Sequence, residues 1–152
     1  MADCGTIEAG EHRLTIRVYY EDTDAGEMVY HASHLRFAER ARTEMLRCLG
    51  VDHGDLRARF GLTFAVRRCV IDFLAPAHLD DLLDVRTRPV RVGGASFDLE
   101  QRILREHRLL ARLEVRLAVI SPTLRVARFP PELIAAMAPL EVATPPAARV
   151  RA

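Results

Sequence analysis

Between Ser33 and Leu49 the apolar residues of this chain recur every three or four positions, whereas in most of the other apolar stretches they alternate. Leu35, Ala38, Ala41, Met45, Cys48 and Leu49 make one stripe, Phe37 and Leu46 widen it, and Arg36, Glu39, Arg40, Arg42, Glu44 and Arg47 occupy the remainder. The spacing predicts a helix over Ser33 to Leu49, stopped by Gly50 and about 25 Å long at 1.5 Å per residue. A helix of that length can lie across a whole sheet, and its stripe has to be buried against one.

The alternating stretches supply the sheet. Leu14, Ile16 and Val18 share one face from Arg13 onward, opposite Thr15, Arg17 and Tyr19, which is the period of a half-buried strand. Leu62 to Ala75 is apolar on both faces, with Phe64, Val66, Val70 and Leu74 against Ala65, Cys69, Ile71 and Phe73, and is expected at the centre of the sheet. Leu82 to Val90 follows, where Pro89 implies an edge or a bulge. Ser96 to Leu104 and Leu109 to Ile120 complete the set. Pairing these last two so that Arg102 faces Glu114 and Glu100 faces Arg116 would give two opposite-charge pairs. Short helices are expected within Val51 to Gly61 and after Pro130-Pro131. The order of strand, long helix and four strands predicts an α+β fold, a mainly antiparallel five-stranded sheet against one long helix. Residues 1–12 read as a flexible leader, 13–138 as a single domain and 139–152 as a disordered tail.

With 152 residues and 49% hydrophobic content, one domain can bury a real core. A net charge of +1, with both signs interspersed, gives no electrostatic reason to expect nucleic acid or an anionic membrane as partner. All 22 basic residues are arginine, which reads as coding bias, with at most a few guanidinium groups set aside for phosphates. Cys4, Cys48 and Cys69 are odd in number and without paired spacing, which argues against a disulfide framework or a zinc knuckle and suits a reducing compartment. The first 13 residues hold no apolar run typical of a secretory signal, and no segment reaches the ~20 apolar residues that span a bilayer. A soluble cytoplasmic protein is expected.

Chemistry concentrates between the first strand and the long helix. Arg17 to His31 crowds Glu21, Asp22, Asp24, Gly26 and His31 into one short connection. A carboxylate beside unpaired N–H groups at a helix start suits attack on a carbonyl group. By pattern alone Asp24 is more often an Asx-turn or capping residue, and Asp22 a residue that holds the loop through backbone hydrogen bonds. His31 and His34, three apart, could imitate a metal site with Asp22 or Asp24, but position 38 is Ala38 and no third ligand follows at helical spacing.

Arg17 to Gly26, then Val29-Tyr30-His31-Ala32 and Phe37-Ala38-Glu39-Arg40-Ala41-Arg42-Thr43-Glu44, resembles the hot-dog-fold acyl-CoA thioesterases of the 4-hydroxybenzoyl-CoA thioesterase type, closest to the branch associated with the bacterial Tol-Pal system. Phe64-Ala65-Val66-Arg67-Arg68, Ala75-Pro76-Ala77-His78-Leu79-Asp80-Asp81 and Gln101-Arg102-Ile103 extend the likeness over roughly Leu14 to Pro122. The resemblance implies a curved sheet around a central helix, a homodimer or homotetramer with active sites at subunit interfaces, and hydrolysis of a coenzyme A or acyl carrier protein thioester without metal or organic cofactor. It places the catalytic carboxylate on Asp24 and a histidine of the site on His31, near the N–H that polarises the carbonyl. Gly26, Tyr30 and His34 fall where substrate is held. Arg36, Arg67, Arg68 and Arg91 are candidates for coenzyme A phosphates. Two positions depart from the family: Glu27 stands where a second glycine is usual, and His34 where an aromatic is common. A non-catalytic or weakly active acyl-carrier or envelope-complex binding module on the same fold is the alternative reading, and it would have no need of Asp24.

Overall fold

The computed structural model describes residues 3–142. Seven strands form one antiparallel sheet: β1 (Thr6–Glu8), β2 (Glu11–Arg17), β3 (Thr63–Phe73), β4 (Leu82–Val92), β5 (Ser96–Arg105), β6 (Arg108–Ile120) and β7 (Val126–Ala127). Their order across the sheet is β1-β2-β4-β5-β6-β3, and β7 pairs with the end of β6 beyond the reach of β5. The helices are α1 (His31–Cys48), α2 (His53–Phe60) and α3 (Pro131–Ala136). Among the described residues no helix is long and apolar enough to cross a membrane.

The α+β arrangement is the one expected, with two short strands added to the five. Register shifts at Val66/Arg68, Pro89/Arg91 and Ile103/Leu104 insert bulges that curve the sheet about α1. Pro89 therefore takes the bulge option, since β4 lies between β2 and β5. Phe37, Ala38, Ala41 and Met45 of α1 are fully buried against Leu83, Val85, Phe97, Ile103 and Leu113. The two alanines let helix and sheet approach closely, and each large side chain buried this way contributes about 1.5–3 kcal/mol. Leu35, expected in the stripe, is instead exposed.

Gln101, fully buried on β5, locks the helix on the sheet. Its Nε2 donates to the Ala38 carbonyl at 2.9 Å and to Thr87 Oγ1 at 3.0 Å, and its Oε1 accepts from Arg42 at 2.8 Å. A buried amide satisfied on both ends adds direction to a contact that apolar packing alone leaves free to slide.

Several further expectations need correction. β3 lies at the end of the sheet, paired only with β6, and its Val66, Val70 and Phe73 are exposed along with the following Leu74. Apolar residues on both faces indicated burial, but among the described residues no strand pairs with the other edge of β3. Between β5 and β6, Arg102 lies opposite Arg112, Glu100 opposite Glu114 and Asp98 opposite Arg116, two residues away from the expected register. The Glu106-His107 turn, with Glu106 at φ +55°, sets that register, and diagonal bonds replace the direct pairs. Glu100 accepts Arg88 Nη2 at 2.8 Å and Arg112 Nη2 at 2.7 Å, and Asp98 takes both Nε and Nη2 of Arg116.

The cysteines are the third correction: Cys4 and Cys48 form a disulfide, at a Cα–Cα distance of 5.6 Å. They are 44 residues apart, and only the fold brings them together. The leader is the fourth, because β1 lies within residues 1–12 and pairs with β2. At the other end, Leu140 is buried and Glu141 N donates to the Gly10 carbonyl at 2.9 Å, so residues 139–142 pack on the domain. The rest of the expected tail lies outside the described residues.

Candidate active site

The connection from β2 to α1 is built on Asp22. This carboxylate is 2% exposed and its Oδ2 accepts the Tyr19 N–H at 2.8 Å, while its own carbonyl accepts the Tyr30 N–H at 2.8 Å. One residue thus clamps both ends of the loop, as expected of it. The segment between is a small hairpin, with a bridge between Thr23 and Val29 and a second from Met28 to His78. Val29 is buried, and its N–H donates to the Ala77 carbonyl at 2.8 Å.

Asp24 sits in this hairpin with its side chain exposed. Its N–H donates to the Met28 carbonyl at 2.9 Å and its carbonyl accepts the Glu27 N–H at 3.0 Å. Its Oδ1 accepts the Gly26 N–H at 2.8 Å, which is the Asx turn that the bare pattern suggested. The turn also fixes the carboxylate and leaves the second oxygen open to solvent. A Cβ at Gly26 would lie 3.1 Å from Asp24 Oδ1, so glycine gives the carboxylate its room. Glu27 is exposed at φ +63°, in the left-handed region where glycine is at ease, and that accounts for the glycine usual there.

His31 is the first residue of α1, exposed, with its ring 4.3 Å from that of Tyr30 and 6.4 Å, edge-on, from Phe73. Tyr30 occupies the N-cap position without a side-chain cap, and no acidic residue lies in the first turn. The positive end of the helix dipole is therefore not neutralised from within its own first turn. Asp22, holding Tyr30 by its backbone, sets this helix start against the loop that carries Asp24.

His34 lies one turn on and is 4% exposed, between Phe37 and Phe73 at ring distances of 6.2 and 5.3 Å. Neither ring nitrogen has a well-aligned hydrogen-bond partner. Burial pushes its pKa below the ordinary histidine value, against a smaller opposing pull from the backbone at His31 and Tyr30. Phe73, which touches both histidines, is the residue of this region that the sequence did not reveal, since nothing in the spacing ties β3 to the start of α1. Among the phosphate candidates, Arg91 is taken up by Asp98 and Ser96 at 3.2 and 2.7 Å. Arg36, Arg67 and Arg68 are exposed and make no ion pair among the described residues. No group of three or more His, Cys, Asp or Glu among the described residues could hold a metal ion.

A long helix held against a curved antiparallel sheet, with an acidic hairpin at its start, defines an α+β hot-dog fold. The family model of the thioesterase-like superfamily matches residues 18–137. The acyl-CoA thioesterase YbgC of Haemophilus influenzae is 44% identical over 122 residues, covering 80% of this chain and 90% of that one. The acyl-CoA thioester hydrolase YbgC of Escherichia coli O157:H7 is 43% identical over 125 residues, covering 82% and 92%. A probable thioesterase from Bartonella henselae superposes with a TM-score of 0.77 at 39% identity, over 79% of this chain and 99% of the other. The chain belongs to the thioesterase-like superfamily and is a thioester hydrolase.

Proposed function

We propose that the chain hydrolyses acyl-CoA thioesters, with Asp24 as the carboxylate that acts on the carbonyl. The observation that carries this reading is the exposed Asp24 carboxylate, held by the Gly26 N–H beside a helix start without a side-chain cap. Asp24 either attacks the carbonyl carbon or takes the proton from an attacking water. Both routes put negative charge on the carbonyl oxygen, and a backbone N–H at the start of α1 stabilises that charge by about 3 kcal/mol. The thiolate of coenzyme A leaves with a pKa of roughly 8.5, so it departs without a strong general acid. His31 and Tyr30 flank the reacting carbonyl, and the names of the YbgC relatives support coenzyme A as the carrier.

Asp24→Asn tests the assignment cleanly, because the amide Oδ1 can still accept the Gly26 N–H and keep the turn. Turnover of a panel of short, long and aromatic CoA thioesters is expected to fall by roughly 10²-fold or more, with an unchanged melting temperature. A variant that retains the parental rate would remove Asp24 from the chemistry.

The working form is a homodimer, with a second copy laid along β3. Val66, Val70, Phe73 and Leu74 leave an apolar edge bare, and an uncovered edge strand of this kind invites pairing. Val70→Lys is expected to shift light scattering towards the monomer mass. A dimer that survives the substitution would place the interface elsewhere.

A further inference from the structure

The far end of α1 carries an arrangement that hydrolysis does not use. Cys48 is the last residue of the helix and is bonded to Cys4, just before β1. β1 is three residues long and pairs only with β2, so its backbone bonds alone hold it weakly. The chain is nevertheless drawn in tightly there. His12 is fully buried with Nε2 2.7 Å from the Cys4 carbonyl, and Gly5, at φ +86°, passes so close to the Arg13 carbonyl that any Cβ would collide. Both bonded cysteines are half-buried.

We propose that the Cys4–Cys48 bond is a redox latch, which locks β1 over the free edge of β2 when oxidised and releases it when reduced. The start of α1 does not depend on it. His31 and Cys48 are at opposite ends of an 18-residue helix, about 26 Å apart at 1.5 Å per residue. The span between them is held on the sheet by Phe37, Ala38, Ala41, Met45 and the Gln101 hydrogen bond. Redox state therefore sets stability and N-terminal order and leaves turnover alone. The step requires a reductant of the thiol class. One thiolate of a dithiol attacks either sulfur and breaks the S–S bond, and its second thiol displaces the mixed disulfide. The protein gains two electrons and two protons as two thiols, and the reductant leaves as a cyclic disulfide.

The experiment uses the full chain, prepared in air without reductant and then titrated with dithiothreitol. Reactive thiols should rise from one, the free and exposed Cys69, to three. The melting temperature should fall in step by roughly 10 °C, because the bond closes a loop of 44 residues in the unfolded chain. Backbone amides of Thr6–Glu8 should lose exchange protection, and kcat at 25 °C should stay within about twofold of the oxidised value. Cys48→Ser should melt at the lower temperature with or without reductant. The latch is refuted by three reactive thiols before dithiothreitol is added, by a melting temperature that ignores the second and third thiols, by an equal response in Cys48→Ser, or by turnover that falls together with the disulfide.

Discussion

Replacing Glu100 by glutamine probes the outer face of the sheet, where a nearly buried carboxylate is shared among arginines of two neighbouring strands. The Glu100 side chain is 6% exposed and accepts Arg88 from β4 and Arg112 from β6 through both Nε and Nη2 of each. Glutamine keeps the shape and one acceptor oxygen, but it turns an NH2 group towards a guanidinium and leaves Arg88 with only the longer contact to Glu11 at 4.0 Å and Arg112 with only Glu114 at 3.8 Å. Breaking a fully buried pair costs about 3–5 kcal/mol. Here the Arg88 side chain is 36% exposed and solvent screens part of the charge, so the expected cost is about 2–3 kcal/mol. In a chain of this length that corresponds to a melting temperature lower by roughly 6–9 °C, measured by circular dichroism at fixed protein concentration. The pH dependence supplies a second check. Burial alone would raise the Glu100 carboxyl, but the hydrogen bonds and charges of Arg112 and Arg88 outweigh it and hold the group below its ordinary value. A depressed folded-state pKa gives stability that is present above the unfolded value of about 4.3 and lost as pH falls through the folded one. The gap between parent and variant should thus be full at pH 7 and narrow towards pH 3. A shift within about 2 °C, or a gap unchanged on acidification, would show that the arginines find equivalent partners without Glu100.

Glu27→Gly should raise stability by up to about 1 kcal/mol, as left-handed strain is exchanged for backbone entropy; urea unfolding reads it, and a loss of stability would refute the strain at φ +63°. His34→Phe should stabilise the fold and remove part of its acid sensitivity. Burial lowers the pKa of both His34 and His12, so the folded state disfavours their protonation. Their share of stability is complete above about pH 6.5 and declines below it, before the carboxylates respond. An unchanged melting profile between pH 7 and pH 5 in the parent would contradict the burial of these rings.

The fold was largely legible because its two periods are so distinct: the three-four spacing over Ser33 to Leu49 and the alternation through Phe97, Leu99, Gln101 and Ile103 each admit one secondary structure. Their burial follows the pattern, with the last four residues almost completely enclosed. Legibility failed where the deciding contact lies outside the local pattern. Val66 and Val70 are apolar in the way a central strand is, and sequence does not distinguish cover by the same chain from cover by another. The Cys4–Cys48 bond joins residues that only the packing of β1 against the end of α1 brings together. At the site, the clamping role of Asp22 and the Asx turn of Asp24 followed from turn chemistry, which is local. The neighbourhood of His34 and Phe73 did not, because a helix and an edge strand meet there by tertiary packing alone.

An edge strand is ordinarily where a sheet can change most freely, since one side of it answers to nothing inside the chain. β3 has lost that freedom. Phe73 stands beside His31 and His34 and is itself exposed on the edge strand, so a single ring borders both the proposed site and the free edge. Under the proposed dimer, a substitution at Phe73 that slows turnover is read together with the assembled mass, since it alters the proposed site and the edge at once.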